Sequence, residues 1–293
     1  MNADTPFVFS GMSRVGARLF ARDRTATIAA SVLLLIAVAC FLAPLTSPYD
    51  PFAQPDILGL KNAAPSMSHP MGTDPLSRDV LSRVIYGGRL SLTVAVFATL
   101  VSVTLGTAYG SIAGFSEGFT ASLLERILDA FLAIPRLLLL IAIFATWHDM
   151  PLGGFVIMLG VTGWYGLARL VRGQVLALKA RDFVASARAL GATRTRILVR
   201  HILPNVVTPV VVAATLGVGH VIVLEAGLSW LGIGIRQPEA SWGNMIQDGS
   251  GEIATHWWIS LFPGLAIVLT VMAFNVLGDA LLRSLSPRQT VIE

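Results

Sequence analysis

Five stretches of this chain reach the length of a bilayer crossing without a single Asp, Glu, Lys or Arg: Thr25 to Tyr49, Leu90 to Ser116, Met150 to Ala168, His201 to Leu224 and Ile253 to Gly278. About 20 apolar residues cross the hydrocarbon core as a helix, so each run reads as a membrane span. Ile127 to Trp147 is as apolar as the others apart from Asp129 and Arg136, and makes a sixth. The runs are continuous rather than alternating, which excludes a β-barrel. Charged residues are 13% of the chain, against roughly 25% in a soluble domain, and mean hydropathy is +0.72. These values also exclude a disordered or collagen-like chain. Cys40, the single cysteine, excludes a disulfide scaffold. The net charge of +4 does not point to nucleic acid, because in a membrane protein the placement of basic residues carries the information.

That placement is asymmetric. Arg14, Arg18, Arg22 and Arg24 precede the first span, Arg169 to Arg200 holds eight basic residues against Asp182 alone, and the tail adds Arg283 and Arg288. The first interspan loop instead sets Lys61, Arg78 and Arg83 against four aspartates, and the last sets Arg236 against Glu239, Asp248 and Glu252. Six spans put both termini on one side, and the basic side is cytoplasmic. The first apolar run ends in Ala43-Pro44 without a clear small-residue cleavage site, so a retained span is expected rather than a signal peptide. The expected organisation is 1–44, cytoplasmic N-terminus and first span; 45–88, an external loop with an amphipathic helix; 89–283, a core of five spans containing the cytoplasmic loop 169–204; and 284–293, a cytoplasmic tail.

Within the external loop, Asp74-Pro75 predicts a helix start. Leu76, Val80, Leu81, Val84 and Ile85 would share an apolar face, and Asp74–Arg78 and Asp79–Arg83 are acid-before-base pairs at four-residue spacing. The pattern predicts a helix lying along the outer membrane surface, either an anchor or a docking ledge. Gly106, Gly110 and Gly114 mark one face of the second span for close helix packing. Asp129 and Arg136, seven residues apart, would share a face about 10 Å apart along the helix axis. They pair structurally or line a substrate path. Glu225, about 30 Å along a helix from Asn205, is expected near the outer end, solvated there or gating the path.

In the cytoplasmic loop, Arg181 to Gly191 reads as a short helix with Phe183, Ala187 and Leu190 as its apolar stripe, stopped by Gly191. Thr193 would cap a second helix carrying Ile197, Leu198 and Ile202 before Pro204. The expected result is a helix–glycine–helix knuckle whose small residues Ala185, Ser186, Ala187 and Ala189 permit close approach by another protein.

These residues resemble a known family. Ala185-Ser-Ala-Arg-Ala-Leu-Gly191 followed by Arg200-His-Ile-Leu-Pro-Asn205 is similar to the Glu-Ala-Ala loop of ABC-importer permeases. Gly72-Thr-Asp74, Ser77 to Arg83, and Leu224 to Gly234 leading to Ser241-Trp-Gly-Asn-Met245 resemble the dipeptide, oligopeptide and nickel subgroup. Ala185 stands where the motif carries glutamate, so no charge contact is implied there. The resemblance implies an all-α, six-span type I importer permease, methionine-importer-like in fold, that takes up di- or oligopeptides delivered by an external binding protein. Nickel or another small solute is the alternative substrate. It further implies a homologous second permease subunit and two ATPase subunits that hold the ATP and Mg, this chain having no cofactor or metal of its own. The ATPase-coupling loop would comprise Phe183, Ala185, Ser186, Ala187, Arg188, Gly191, Ala192, His201, Pro204 and Asn205. Asp129, Arg136 and Glu225 are the candidates for the path or gate, and Gly72, Thr73, Asp74, Arg78 and Asp79 form the external motif.

Two other classes compete. No Gly-rich loop ending in Gly-Lys-Ser/Thr is present, so ATP must be hydrolysed by another chain if it drives transport. Ser229 and His256 suggest an intramembrane serine protease only faintly, as no Gly-x-Ser-x-Gly elbow accompanies them. An ion-coupled secondary transporter would show paired broken helices in two repeats, and no repeat is evident.

Overall fold

A computed structural model describes residues 23–147 and 150–285. The basic lead with Arg14, Arg18 and Arg22, and the tail with Arg288, lie outside the described residues. The described chain is helical, with one isolated bridge, Thr73 to Asp79, as its only β pairing. In chain order the helices are α1 (Arg24–Phe41), α2 (Ala43–Thr46), α3 (Val80–Phe115), α4 (Gly118–Ala133), α5 (Arg136–Thr146), α6 (Leu152–Val161), α7 (Trp164–Lys179), α8 (Asp182–Ala189), α9 (Arg194–Ile197), α10 (Leu203–Trp230), α11 (Trp242–Ser250) and α12 (Trp258–Leu285). Leu198–Ile202 forms a π-turn that joins α9 to α10 without a break.

Five of these segments are long and apolar enough to span a membrane: α1, α3, α6 with α7, α9 with α10, and α12. The pair α4 with α5 passes the same test only when taken together, and it bends by 74°. Pro135 causes the bend, because its ring forces Ile134 into extended backbone (φ −87°, ψ 121°) and it donates no N–H. Asp129 and Arg136 therefore sit on two differently directed helices, which corrects the expected shared face.

A second correction concerns the external loop. The residues after Asp74 turn rather than coil, and the helix starts at Val80, where the Asp79 carboxylate accepts from Ser82 N at 2.8 Å. From there α3 continues for 36 residues, about 54 Å, into the second span. No separate surface helix exists among the described residues; the helix that carries the second span itself starts at Val80. Asp79 caps α3, while Asp74 closes the preceding turn through the Leu76 and Arg78 backbone N–H groups and binds Arg78 and Arg83 with its other oxygen.

The glycine face of α3 packs against α7 as expected. A Cβ on Gly106, Gly110 or Gly114 would fall 2.5–2.9 Å from atoms of Trp164, Leu167, Ala168, Val171, Arg172 and Val175. Above this seam, Leu92, Ala95 and Ala98 of α3 pack with Leu140 and Phe144 of α5, Phe155 and Leu159 of α6, and Val221 and Ile222 of α10. On α1 and α12, Leu34, Leu35, Leu269 and Met272 remain exposed, an apolar exterior suited to lipid. Asp23 caps α1 and pairs with Arg283 of α12 at 2.9 Å, while Ala26 packs on Ala280. The Thr25 hydroxyl and Arg283 hold the Asp23 carboxyl down to about 2. The described beginning and end of the chain thus lie together, at the same end as the knuckle, where Glu117 after α3 binds Lys179 at 2.8 Å and Arg194 at 3.3 Å.

Candidate functional site

The knuckle is built from two local signals. Ala192 N–H donates to Ala187 O and Gly191 N–H to Arg188 O, both at 3.0 Å, the paired bonds of a Schellman helix end. This closure needs a left-handed residue, and Gly191 supplies it at φ +81°. Thr193 then caps α9, its hydroxyl accepting from Arg196 N at 3.3 Å. Pro204 lies in the first turn of α10, and Asn205 Nδ2 donates to His201 O at 2.7 Å.

The expected apolar stripe of α8 is partly corrected. Val184 and Ala187 turn inward and pack with Val171, Val175, Ile197 and Ile202. Phe183, 41% exposed, and Leu190, 88% exposed, point outward with Ala185, Ser186 and Arg188. The inward pair follows the three-residue return from Val184 to Ala187 rather than the spacing from Phe183. The knuckle thus stands on its own core and presents two large apolar side chains among small ones. Lys179 Nζ also donates to Phe115 O at 3.1 Å, so α3, α7 and the knuckle meet at one point. The Lys179 ammonium, with Arg194 behind it, holds the Glu117 carboxyl below its usual range.

At the opposite end the motif of Gly72, Thr73, Asp74, Arg78 and Asp79 forms a buried ionic cluster. Asp74, 2% exposed, accepts from Arg78 Nε at 2.6 Å, from the Arg78 and Leu76 backbone N–H at 2.9 Å, and from Arg83 Nη1. Arg78 reaches Gln237 at 3.1 Å and Asp248 at 3.3 Å, and Arg83 lies 3.4 Å from Asp248. Asp79 holds His69 Nδ1 at 2.9 Å and the Ser82 hydroxyl at 2.7 Å instead of the expected Arg83. Thr73 O accepts from Trp258 Nε1 at 3.2 Å, and Gly72 is buried at φ +76° beside that indole. All five motif residues are buried, so they fasten the loop onto α11 and α12 and are not its contact surface. Burial pushes the Asp248 carboxyl up despite Arg83 and Arg78. Asp248 and Gln237 were not singled out from sequence, since Asp74 and Asp79 offer each arginine a local partner.

The path candidates do not converge. Asp129 is exposed and pairs with Arg169. Arg136 Nη2 donates to Leu159 O at 2.7 Å. Glu225 is fully buried, accepting from Ser91 of α3 at 3.0 Å and Ser229 at 2.8 Å, which excludes the solvated reading. Ser229, the suggested nucleophile, spends its hydroxyl on that carboxylate, and His256 pairs with Glu252 at 2.8 Å.

A multi-span helical bundle fastened at both ends, with a helical knuckle between two spans, defines the class: a type I ABC-importer permease fold. The chain superposes on a chain of the MetNI methionine ABC transporter, described in inward-facing conformations, with a TM-score of 0.59 and 18% identity over 70% of this chain and 97% of that one. Residues 106–291 match the binding-protein-dependent transport system inner membrane component, and residues 13–65 match the N-terminal TM domain of oligopeptide transport permease C. The dipeptide transport system permease protein DppC of Bacillus subtilis (strain 168) is 40% identical over 272 residues, 92% of this chain and 84% of that protein. The oligopeptide permease OppC of the same organism is 37% identical over 92% of this chain and 87% of its own length. The glutathione permease GsiD of Pectobacterium atrosepticum is 38% identical over 92% and 89%. This chain belongs to the family of binding-protein-dependent transport system inner membrane components. It is a multi-pass inner-membrane permease subunit rather than an ATPase.

Proposed function

We propose that this chain is one permease half of an ATP-driven importer of di- or oligopeptides. It pairs with a homologous permease, two ATPase subunits that hold ATP and Mg, and an external binding protein that delivers the peptide. Its relatives' names, dipeptide, oligopeptide and glutathione permeases, support the substrate class. The knuckle lies in the cytoplasm with both termini, and the ionic cluster faces outward. A cysteine at the exposed position Thr195, in a Cys40→Ala background, is then labelled in inverted vesicles and not by an impermeant reagent in intact cells. Labelling in intact cells would reverse the orientation.

The observation that carries the coupling role is the outward face of α8. Phe183 and Leu190 are large apolar side chains exposed beside Ala185 and Ser186, on a short helix joined to α7 through Ala180–Arg181 and, past Gly191, to the unbroken α9–α10 segment. A partner ATPase seated there moves two spans when it closes. Gly191→Val forces a β-branched side chain into left-handed backbone, at about 1–2 kcal/mol, and misaims α8 against α9. We expect insertion and binding-protein docking to persist while ATPase retention falls roughly five- to thirtyfold, or hydrolysis no longer yields uptake. Gly191→Asn, which tolerates this conformation, restores most of the activity. Normal retention and uptake in Gly191→Val would remove the coupling assignment.

A further inference from the structure

Arg136 stands at the edge of a cavity of about 200 Å³ between α3, α5, α7 and α10, lined also by Thr99, Ser102, Gly163, Gly166 and His220. Thr99 and Ser102 lie near the middle of α3, which places the cavity at mid-depth. Among the described residues no carboxylate pairs with Arg136, since Asp129 is bound to Arg169 on another helix. The guanidinium is held through Nη2 on Leu159 O, while its Nε and the Thr99 hydroxyl are buried without a hydrogen-bond partner. A Cβ on Gly163 would come within 2.8 Å of Arg136 Nη2 and 2.6 Å of Ser102 Oγ, so this glycine keeps the guanidinium seated beside the cavity.

A cation with no counter-charge at membrane depth is costly, and such groups face wet cavities or ligand routes. Here the donors are a planar guanidinium, a hydroxyl and an imidazole around a space with no acidic group in its lining. That set matches a carboxylate, which arginine binds through parallel N–H groups. We propose that this cavity is a waypoint that binds the carboxylate of the peptide in transit. The inference rests on the peptide-importer reading. It adds that the negatively charged end of the substrate, the part least able to cross a low-dielectric interior, is received by Arg136, with Thr99 and His220 as supporting donors.

Gly166 offers a probe, because it is exposed and a Cβ there meets nothing within 4 Å. In the assembled complex carrying Cys40→Ala and Gly166→Cys, modification by a sulfonate-bearing methanethiosulfonate is compared with its trimethylammonium analogue. Arg136→Gln should lower the anion-to-cation rate ratio at least tenfold, on the order expected for removing one nearby charge, while Arg136→Lys keeps most of it. A dipeptide with a free C-terminus should slow labelling, and its C-terminal amide should not. Protection by an amidated dipeptide carrying glutamate would also support the site, with the side chain as the source of the carboxylate. An unchanged ratio in Arg136→Gln, in complex that elutes as assembled, overturns the anion site whatever the complex transports. A ratio that falls in Arg136→Gln, with no protection by any peptide, overturns the peptide as its ligand. Failure of peptide uptake by the unmutated complex, with the Arg136-dependent ratio intact, would instead reject the peptide-importer reading.

Discussion

Replacing Asp74 with alanine is expected to destabilise the protein by about 3–5 kcal/mol, the range found when one partner of a buried ion pair is removed. Asp74 is the hub of its cluster, because one carboxylate receives Arg78, Arg83 and two backbone N–H groups. Its loss leaves two buried guanidinium groups, Arg83 being 1% exposed, with Asp248 as the remaining acid. Against a total stability of about 5–15 kcal/mol, this is a large fraction. Asp74→Asn should fall between the two, because its carbonyl still accepts from the Leu76 and Arg78 N–H groups but carries no charge. Thermal unfolding of the detergent-purified complex checks the order wild type, Asp74→Asn, Asp74→Ala. An alanine variant melting with the wild type would show that the cluster does not hold the loop.

The second large effect is steric. In Gly110→Val the new Cβ would lie 2.5 Å from Ala168 O and 2.8 Å from Val171 Cβ, so backbone as well as side chain must yield. Overpacking of this kind costs about 1–3 kcal/mol, and here it separates α3 from α7 along their whole seam. The expected readout is loss of assembled complex on size exclusion. Gly173→Val on the same α7, at a position open to space, should assemble normally. Equal yields from the two variants would refute the seam.

The legibility of the chain in its sequence varied with the range of the interaction that decides each feature. The spans were readable because bilayer thickness acts on every window of about 20 residues alike. Gly191 and Thr193 were readable because helix ends are decided within four or five residues. The start of α3 was not, since Asp74 and Asp79 are equal candidates locally, and the cluster that seats Asp74 draws on Gln237 and Asp248 from across the chain. The orientation of Phe183 and Leu190 depended on where Ile197 and Ile202 close the core beneath α8. Pro135 was visible as a bend signal, but the apolar run around it masked it, so Asp129 and Arg136 were placed on one face.

The ionic cluster also constrains the order in which the chain can be completed. Arg78 and Asp248 are 170 residues apart in the chain. At translation rates of about 5–20 residues per second, the arginines emerge roughly 10–30 s before the acid that completes their set. Through that interval the start of α3 must stay wet, and the loop before it cannot seat against α11 and α12. The first interspan loop is therefore among the last parts of the protein to mature. A nascent chain stalled before Asp248 should expose that loop to protease, even with its early spans already inserted.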